Sequence, residues 1–76
     1  MPHVIVKLWP GPSERQKKKL ADEVTKAVMA TLNYGEDAVS VGIEEVGPRQ
    51  WTELVYKPDI LGRSATIYKK PGYDPP

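Results

Sequence analysis

The first residues alternate between two faces of an extended chain, and one of these faces carries Val4, Val6 and Leu8. A period of two with β-branched residues is typical of a strand, so we predict one from about residue 3 to residue 8. The proline-glycine-proline segment at 10–12 ends it, because proline has no N–H to donate to a sheet.

The next segment has the period of a helix. Ser13 and Gln16 have the spacing of a capping box, which predicts that a long helix begins there. We expect Gly35 to take the left-handed conformation at its end and Met29 to lie on the polar side, exposed or in contact with another subunit. The predicted apolar stripe consists of Leu20, Val24, Ala27, Val28 and Thr31.

Alternation returns over residues 38–46, which predicts a second strand. A strand, a helix and a strand form a βαβ unit, and its two strands are parallel. The helix covers one face of this sheet, so the second face, with Ile5 and Gly42, must meet another surface. A short helix is predicted over 49–57, ended by Pro58, whereas 59–70 fit either a turn of helix or an added strand. The proline-rich tail at 71–76 is expected to be extended or mobile.

Composition narrows the possible functions. A chain of 76 residues buries only about 60% of its unfolded surface, and it has no cysteine, so neither a disulfide nor a thiolate metal site stabilises it. Oligomerisation is then the remaining way to stabilise so small a domain. Eleven basic residues against ten acidic ones are too balanced for a protein that mainly binds phosphate backbones. No apolar run reaches about 20 residues, and we predict a soluble cytoplasmic protein with no metal or cofactor.

The candidate for chemistry is Pro2. Removal of Met1, common when proline follows, leaves a free secondary amine at the start of a strand. Burial against apolar side chains lowers the pKa of such an amine towards neutrality. A base of this kind takes a proton from carbon beside a carbonyl group and returns it elsewhere, which is tautomerisation. The sequence has no other familiar catalytic set.

Pro2 opens a strand, and the segments 13–17, 39–43, 47–51 and 69–73 follow it in order. Together these features resemble the tautomerase superfamily, specifically the short 4-oxalocrotonate tautomerase-like chains and most closely the small bacterial phenylpyruvate tautomerase-like members. The resemblance implies one α/β domain over residues 1–76, with its sheet completed by oligomerisation, and a cofactor-free keto–enol tautomerase. It also implies that Pro2 is the general base.

The resemblance also indicates substrate-binding residues. Two arginines of the family's prototype, which bind a dicarboxylate, are replaced by Pro12 and Ser40, so that substrate is not expected here. Arg49 or Lys7 is left to supply one positive charge, enough for a monocarboxylate. Ser40 and Arg49 therefore join the predicted substrate site.

Two tryptophans complete that predicted site. Trp51 aligns with a pocket phenylalanine of the prototype and Trp9 with a pocket leucine, which favours a flat aromatic enol or 2-keto acid such as phenylpyruvate. Each also has a plain alternative, as a core or interface residue. His3 is expected to be solvated or hydrogen-bonded, and the lysines at 17–19 to form a solvated helix face.

We predict a homodimer, because the segment beyond residue 60 exceeds the prototype's length and would block further stacking; a hexamer is the alternative. A non-catalytic oligomeric ligand-binding module of the same fold is the rival function. The balanced charge argues against nucleic-acid binding.

Overall fold

The computed structural model of the protein describes residues 1–74, and it has the predicted α/β architecture. Two parallel strands are joined by a long helix, which confirms the βαβ unit. None of the described helices is long and apolar enough to cross a membrane. The elements are β1 (His3–Leu8), α1 (Glu14–Leu32), a 3-10 turn (Glu36–Ala38), β2 (Ser40–Glu45), a π-helix (Thr52–Leu61) and a second 3-10 turn (Ser64–Thr66).

The two strands run side by side in a simple register. His3 pairs with Ser40 at one end and Leu8 with Glu45 at the other. The N–H of Ser40 donates to the carbonyl oxygen of Pro2 at 3.2 Å, which ties the start of the chain to β2. β1 has the predicted bounds, whereas β2 is shorter at both ends than the predicted 38–46. The 3-10 turn takes up Ala38 at its beginning, and the strand ends one residue earlier, at Glu45. Pro2 and Leu8 thus lie at opposite ends of the sheet.

Helix α1 begins as predicted and ends differently. The N–H of Gln16 donates to Ser13 Oγ at 3.1 Å, and the N–H of Ser13 donates to Gln16 Oε1 at 2.8 Å, so both bonds of the capping box form. The left-handed residue at the C-terminus is Asn33, with φ 61°, and Gly35 has φ −78°. The predicted Gly35 cap is therefore wrong. Asparagine tolerates this conformation because its side chain is short and polar.

The packed face of α1 is displaced around the helix from the predicted stripe. Ala27 and Thr31 are exposed, while Met29 is half-buried, so its placement on the polar side is wrong. Thr25 donates through Oγ1 to the carbonyl oxygen of Ala21 at 2.8 Å, which satisfies a polar group on the packed side. The half-buried positions follow a regular three- and four-residue spacing: Lys17, Leu20, Ala21, Val24, Thr25, Val28 and Met29.

Lys17 departs from the predicted solvated lysine face. Its Nζ lies 3.2 Å from Glu45 Oε2 and 3.3 Å from Glu14 Oε1, and its side chain is 18% exposed. The hydrogen bond to Glu45 is the main reason why the pKa of Lys17 is raised. The contact joins the first turn of α1 to the end of β2, whereas Lys18 and Lys19 are exposed as expected.

The predicted interruption at Pro58 is wrong, because the π-helix continues through it to Leu61. Its hydrogen bonds span five residues, as in the N–H of Gly62 to the carbonyl oxygen of Lys57 at 2.8 Å. Gly62 is required here, since a Cβ would lie 2.7 Å from the carbonyl oxygen of Pro58. Of the two alternatives for the following residues, the turn of helix is observed, at 64–66, and no strand forms within the described part of 59–70.

The chain has little core of its own. Among residues 1–74, only Val55 and Tyr56 are buried, at 5% and 9% exposure. Ile5, on the sheet face opposite α1, is 51% exposed. The predicted extended tail packs through Pro71 and Tyr73, and its last two residues, 75 and 76, lie outside the described residues.

Candidate active site

The polar end of the sheet contains Pro2, His3 and Ser40. Pro2 is half-buried and follows Met1, which is 94% exposed. Because His3 and Ser40 are register partners, their side chains share a face, and Ser40 Oγ lies 2.6 Å from His3 Nδ1. The structure thus brings Ser40 beside Pro2, as a neutral hydroxyl that is already hydrogen-bonded.

The aromatic end of the sheet contains a cavity that is lined by both tryptophans of the predicted site. The rings of Trp9 and Trp51 meet edge to face, with centroids 6.5 Å apart and planes at 84°. They line a cavity of about 490 Å³, a size typical of small-molecule sites. Its other lining residues are Lys7, Leu8, Tyr73 and Asp74.

The indoles lie at the same end of the sheet because both follow the last residues of the parallel strands. Trp9 directly follows the last residue of β1, and Trp51 directly precedes the π-helix. The turn before Trp51 is closed by the N–H of Gln50, which donates to the carbonyl oxygen of Gly47 at 3.0 Å. A Cβ on Gly47 would lie 2.8 Å from the side-chain oxygen of Gln50, so glycine allows this close approach.

The tail supplies residues that the sequence analysis did not assign to the site. Trp51 Nε1 donates to Tyr73 Oη at 3.0 Å, and the Tyr73 ring packs on Tyr56 with centroids 5.9 Å apart. The signal for Tyr73 in the sequence was the segment 69–73, which supported only the family resemblance. A tyrosine just after a proline-glycine pair gives no hint of which side chain it will meet.

The charge of the aromatic end is largely compensated within the chain. Lys7 Nζ lies 2.5 Å from Asp59 Oδ2, and the two side chains are 31% and 33% exposed. Asp74 also lines the cavity. The cavity therefore offers no uncompensated cation of its own, and its walls suit a flat apolar group. Arg49 is exposed and is not among the lining residues.

The two ends are far apart in one chain. The six residue steps from Pro2 to Leu8 span about 20 Å at roughly 3.3 Å per residue of a parallel strand. The structure therefore pairs Pro2 with Ser40 and Trp9 with Trp51, but separates these pairs. Within residues 1–74, no three His, Cys, Asp or Glu side chains are grouped closely enough to hold a metal ion.

Comparison with known proteins agrees with this architecture. Residues 2–53 match the model of the family described as "Tautomerase enzyme". The chain is 40% identical over 75 residues to Tautomerase PptA of Cronobacter sakazakii, covering 97% of this chain and 99% of that one.

Solved structures of the same family superpose on this fold. TomN, a 4-oxalocrotonate tautomerase homologue in the tomaymycin biosynthetic pathway, is 31% identical with a TM-score of 0.64, over 86% of this chain and 97% of that one. A 4-oxalocrotonate tautomerase isozyme from Methylibium petroleiphilum is also 31% identical, with a TM-score of 0.61 over 63% and 75% of the two chains. The chain accordingly belongs to the tautomerase family and is an isomerase of that class.

Proposed function

We propose that this tautomerase interconverts the keto and enol forms of a 2-keto acid with an aromatic group, such as phenylpyruvate, and that Pro2 is its general base. The observation that carries the proposal is the position of Pro2, at the exposed start of the chain and at the anchored end of a strand. Met1, at 94% exposure, is accessible to an aminopeptidase. Its removal converts an amide nitrogen without basicity into a secondary amine.

The reaction requires one proton to move between two atoms of the substrate. In the enol-to-keto direction, the neutral amine of Pro2 accepts the proton of the enol hydroxyl, and the resulting ammonium delivers a proton to the adjacent carbon. Every bond that breaks is thereby compensated by one that forms, and the amine returns to its starting state. No cofactor takes part.

A second copy of the chain is needed to bring the two ends together. A two-fold axis perpendicular to β1 reverses the strand, so the Pro2 end of one copy lies beside the Trp9 and Trp51 end of the other. The half-exposed Ile5 on the open sheet face and the small core within one chain support such an association. We propose a dimer, with a hexamer as the alternative arrangement.

In the proposed shared site, each copy contributes different groups. The indoles of Trp9 and Trp51 cover the aromatic group and, by excluding water, favour the neutral form of the partner's amine. Ser40, beside Pro2, offers a hydroxyl to an oxygen of the substrate. Arg49, exposed two residues before Trp51, is the proposed cation for the carboxylate. A cytoplasmic location remains a prediction from the sequence.

The test compares two ways of removing the amine. Pro2→Ala should fold and associate normally and lose turnover of phenylpyruvate by roughly 10²- to 10⁴-fold, the usual contribution of a general base. A chain that keeps Pro2 behind an uncleaved glycine-serine extension should lose as much, because its proline nitrogen is an amide.

Intact-mass measurement of each protein verifies the first residue. Full activity in either variant overturns the assignment of Pro2, and absence of arylpyruvate turnover in the processed wild type overturns the proposed substrate.

A further inference from the structure

We propose that Tyr73 is a further substrate-contacting residue, whose hydroxyl donates a hydrogen bond to a ligand oxygen in the cavity beside Trp9 and Trp51. The inference rests on the proposed function in one respect, that this cavity holds the substrate. It adds a polar donor to a site whose walls are otherwise mainly indole and aliphatic surface.

The direction of one hydrogen bond determines the role of the hydroxyl. An indole N–H is a donor only, so Tyr73 Oη must accept from Trp51 Nε1 at 3.0 Å. The phenol's own proton is then directed elsewhere. Among the described residues, Trp51 is the one hydrogen-bond partner of this hydroxyl, so its proton is available to a ligand.

The ring of Tyr73 is held on two sides. Tyr56, which is buried, packs against it with ring planes at 52°, and Trp51 fixes its oxygen. Pro71, half-buried, precedes it by two residues and restricts the path of the backbone. A donor held in advance of binding loses little freedom when the ligand arrives.

The other polar groups of the cavity are less suited to this task. Lys7 is engaged by Asp59 at 2.5 Å, and a carboxylate such as Asp74 is an acceptor when ionised. Tyr73 is therefore the hydroxyl donor of the cavity, and its one neutral side-chain donor besides the indole N–H of Trp9. In tautomerisation, negative charge develops on the substrate oxygen as the proton moves, and a donor aimed at that oxygen stabilises the transition state.

The experiment uses two tyrosines of one stack. Tyr73→Phe removes the hydroxyl and keeps the ring against Tyr56, whereas Tyr56→Phe makes the same change on a residue that does not line the cavity. We expect kcat/KM for phenylpyruvate to fall roughly 10- to 100-fold in Tyr73→Phe, mostly through kcat, and to stay at the wild-type value in Tyr56→Phe.

Binding gives a second readout that does not need turnover. The chain has two tryptophans, and both line this cavity, so intrinsic fluorescence reports its occupancy directly. Cinnamate, an unreactive flat aryl acid, should bind Tyr73→Phe roughly three- to tenfold more weakly than wild type and Tyr56→Phe.

The outcomes separate the inference from the function on which it rests. Weaker cinnamate binding in Tyr73→Phe alone supports the hydroxyl contact, even if the wild type fails to turn over phenylpyruvate and the proposed substrate is thereby lost. Unchanged kcat/KM and unchanged cinnamate binding in Tyr73→Phe overturn it. Equal losses in both tyrosine variants also overturn it, because they show that the stack acts through packing.

Discussion

The two ends of the sheet differ in polarity, in shape and in the chemical groups that they could contribute to a catalytic site. The end at Pro2 is polar, with the Ser40 hydroxyl 2.6 Å from the His3 ring, and it carries the proposed base. The end at Trp9 is aromatic and concave, and the lysine that lines its cavity is paired with a carboxylate. Each end supplies what the other lacks, and a strand about 20 Å long separates them within one chain.

We infer from this contrast that one chain carries two incomplete parts of the proposed site. A small domain with two buried side chains among its described residues is expected to be only marginally stable. Its open sheet face, which carries Ile5, is available to a second copy. Association would then complete the core and the site in one step.

The largest effect should follow from a charge on the open sheet face. Ile5→Glu places a carboxylate without a partner in the proposed contact, at a cost of several kcal/mol. We expect sedimentation to show a single chain and turnover to fall to the level of the Pro2→Ala variant. Lys18→Glu, a charge reversal on the exposed side of α1, is the control and should remain oligomeric. An active oligomer in Ile5→Glu would rule out this face.

Mixing two inactive variants tests whether the ends meet across copies. Pro2→Ala lacks the base, and Trp9→Ala lacks a wall of the cavity. After unfolding and refolding together, half of the dimers are mixed, and each mixed dimer has one site with both groups intact. Activity should recover to about a quarter of the wild-type value. No recovery, with mixed dimers verified by mass, would place both groups of a site in one chain.

A smaller effect should follow from releasing Lys7 at the aromatic end. Asp59→Asn removes the carboxylate that lies 2.5 Å from Lys7 Nζ, which frees a cation at the cavity. We expect KM for phenylpyruvate to fall by up to about fivefold with little change in kcat, because partly exposed ion pairs are worth about 0.2–1 kcal/mol.

The matched control is Glu53→Gln, which breaks the Lys57–Glu53 pair on the same π-helix at a distance of 2.6 Å. It should leave KM unchanged. A rise in KM in Asp59→Asn would show instead that the pair holds Lys7 in its useful position.

The smallest expected effect is on the stability of the fold, through the ion pairs of Glu23 on α1. Glu23 contacts Lys19 at 3.0 Å and Lys26 at 3.6 Å, and the hydrogen bond from Lys19 is the main reason that its pKa is lowered from 4.5. A lowered folded-state pKa stabilises the fold above pH 4.5, and this contribution disappears as the pH falls through the folded-state value.

Urea unfolding checks this sign. Glu23→Gln should unfold at slightly lower urea than wild type at pH 7, and the difference should vanish in acid. Asp22→Asn, on the same exposed side, is the control. A difference that grows on acidification would contradict the assignment.

The elements of the fold follow from short-range patterns. Alternation over five residues predicted β1 with its observed bounds, and residues three apart predicted both bonds of the capping box. The parallel order of the strands follows from the handedness of βαβ units. The prediction failed where two residues can take the same conformation at similar energy. At the end of α1, Asn33 and not Gly35 is left-handed.

The βαβ order, the start of α1 and the place of a proline at the head of a strand could all be predicted from local patterns in the chain. The tertiary structure alone decided which distant side chains meet: Trp9 with Trp51, Lys7 with Asp59, and Trp51 with Tyr73. It also decided that a π-helix passes through Pro58. The reason is that local hydrogen bonds depend on neighbouring residues, whereas contacts across 22 to 52 residues depend on the path of all the chain between them.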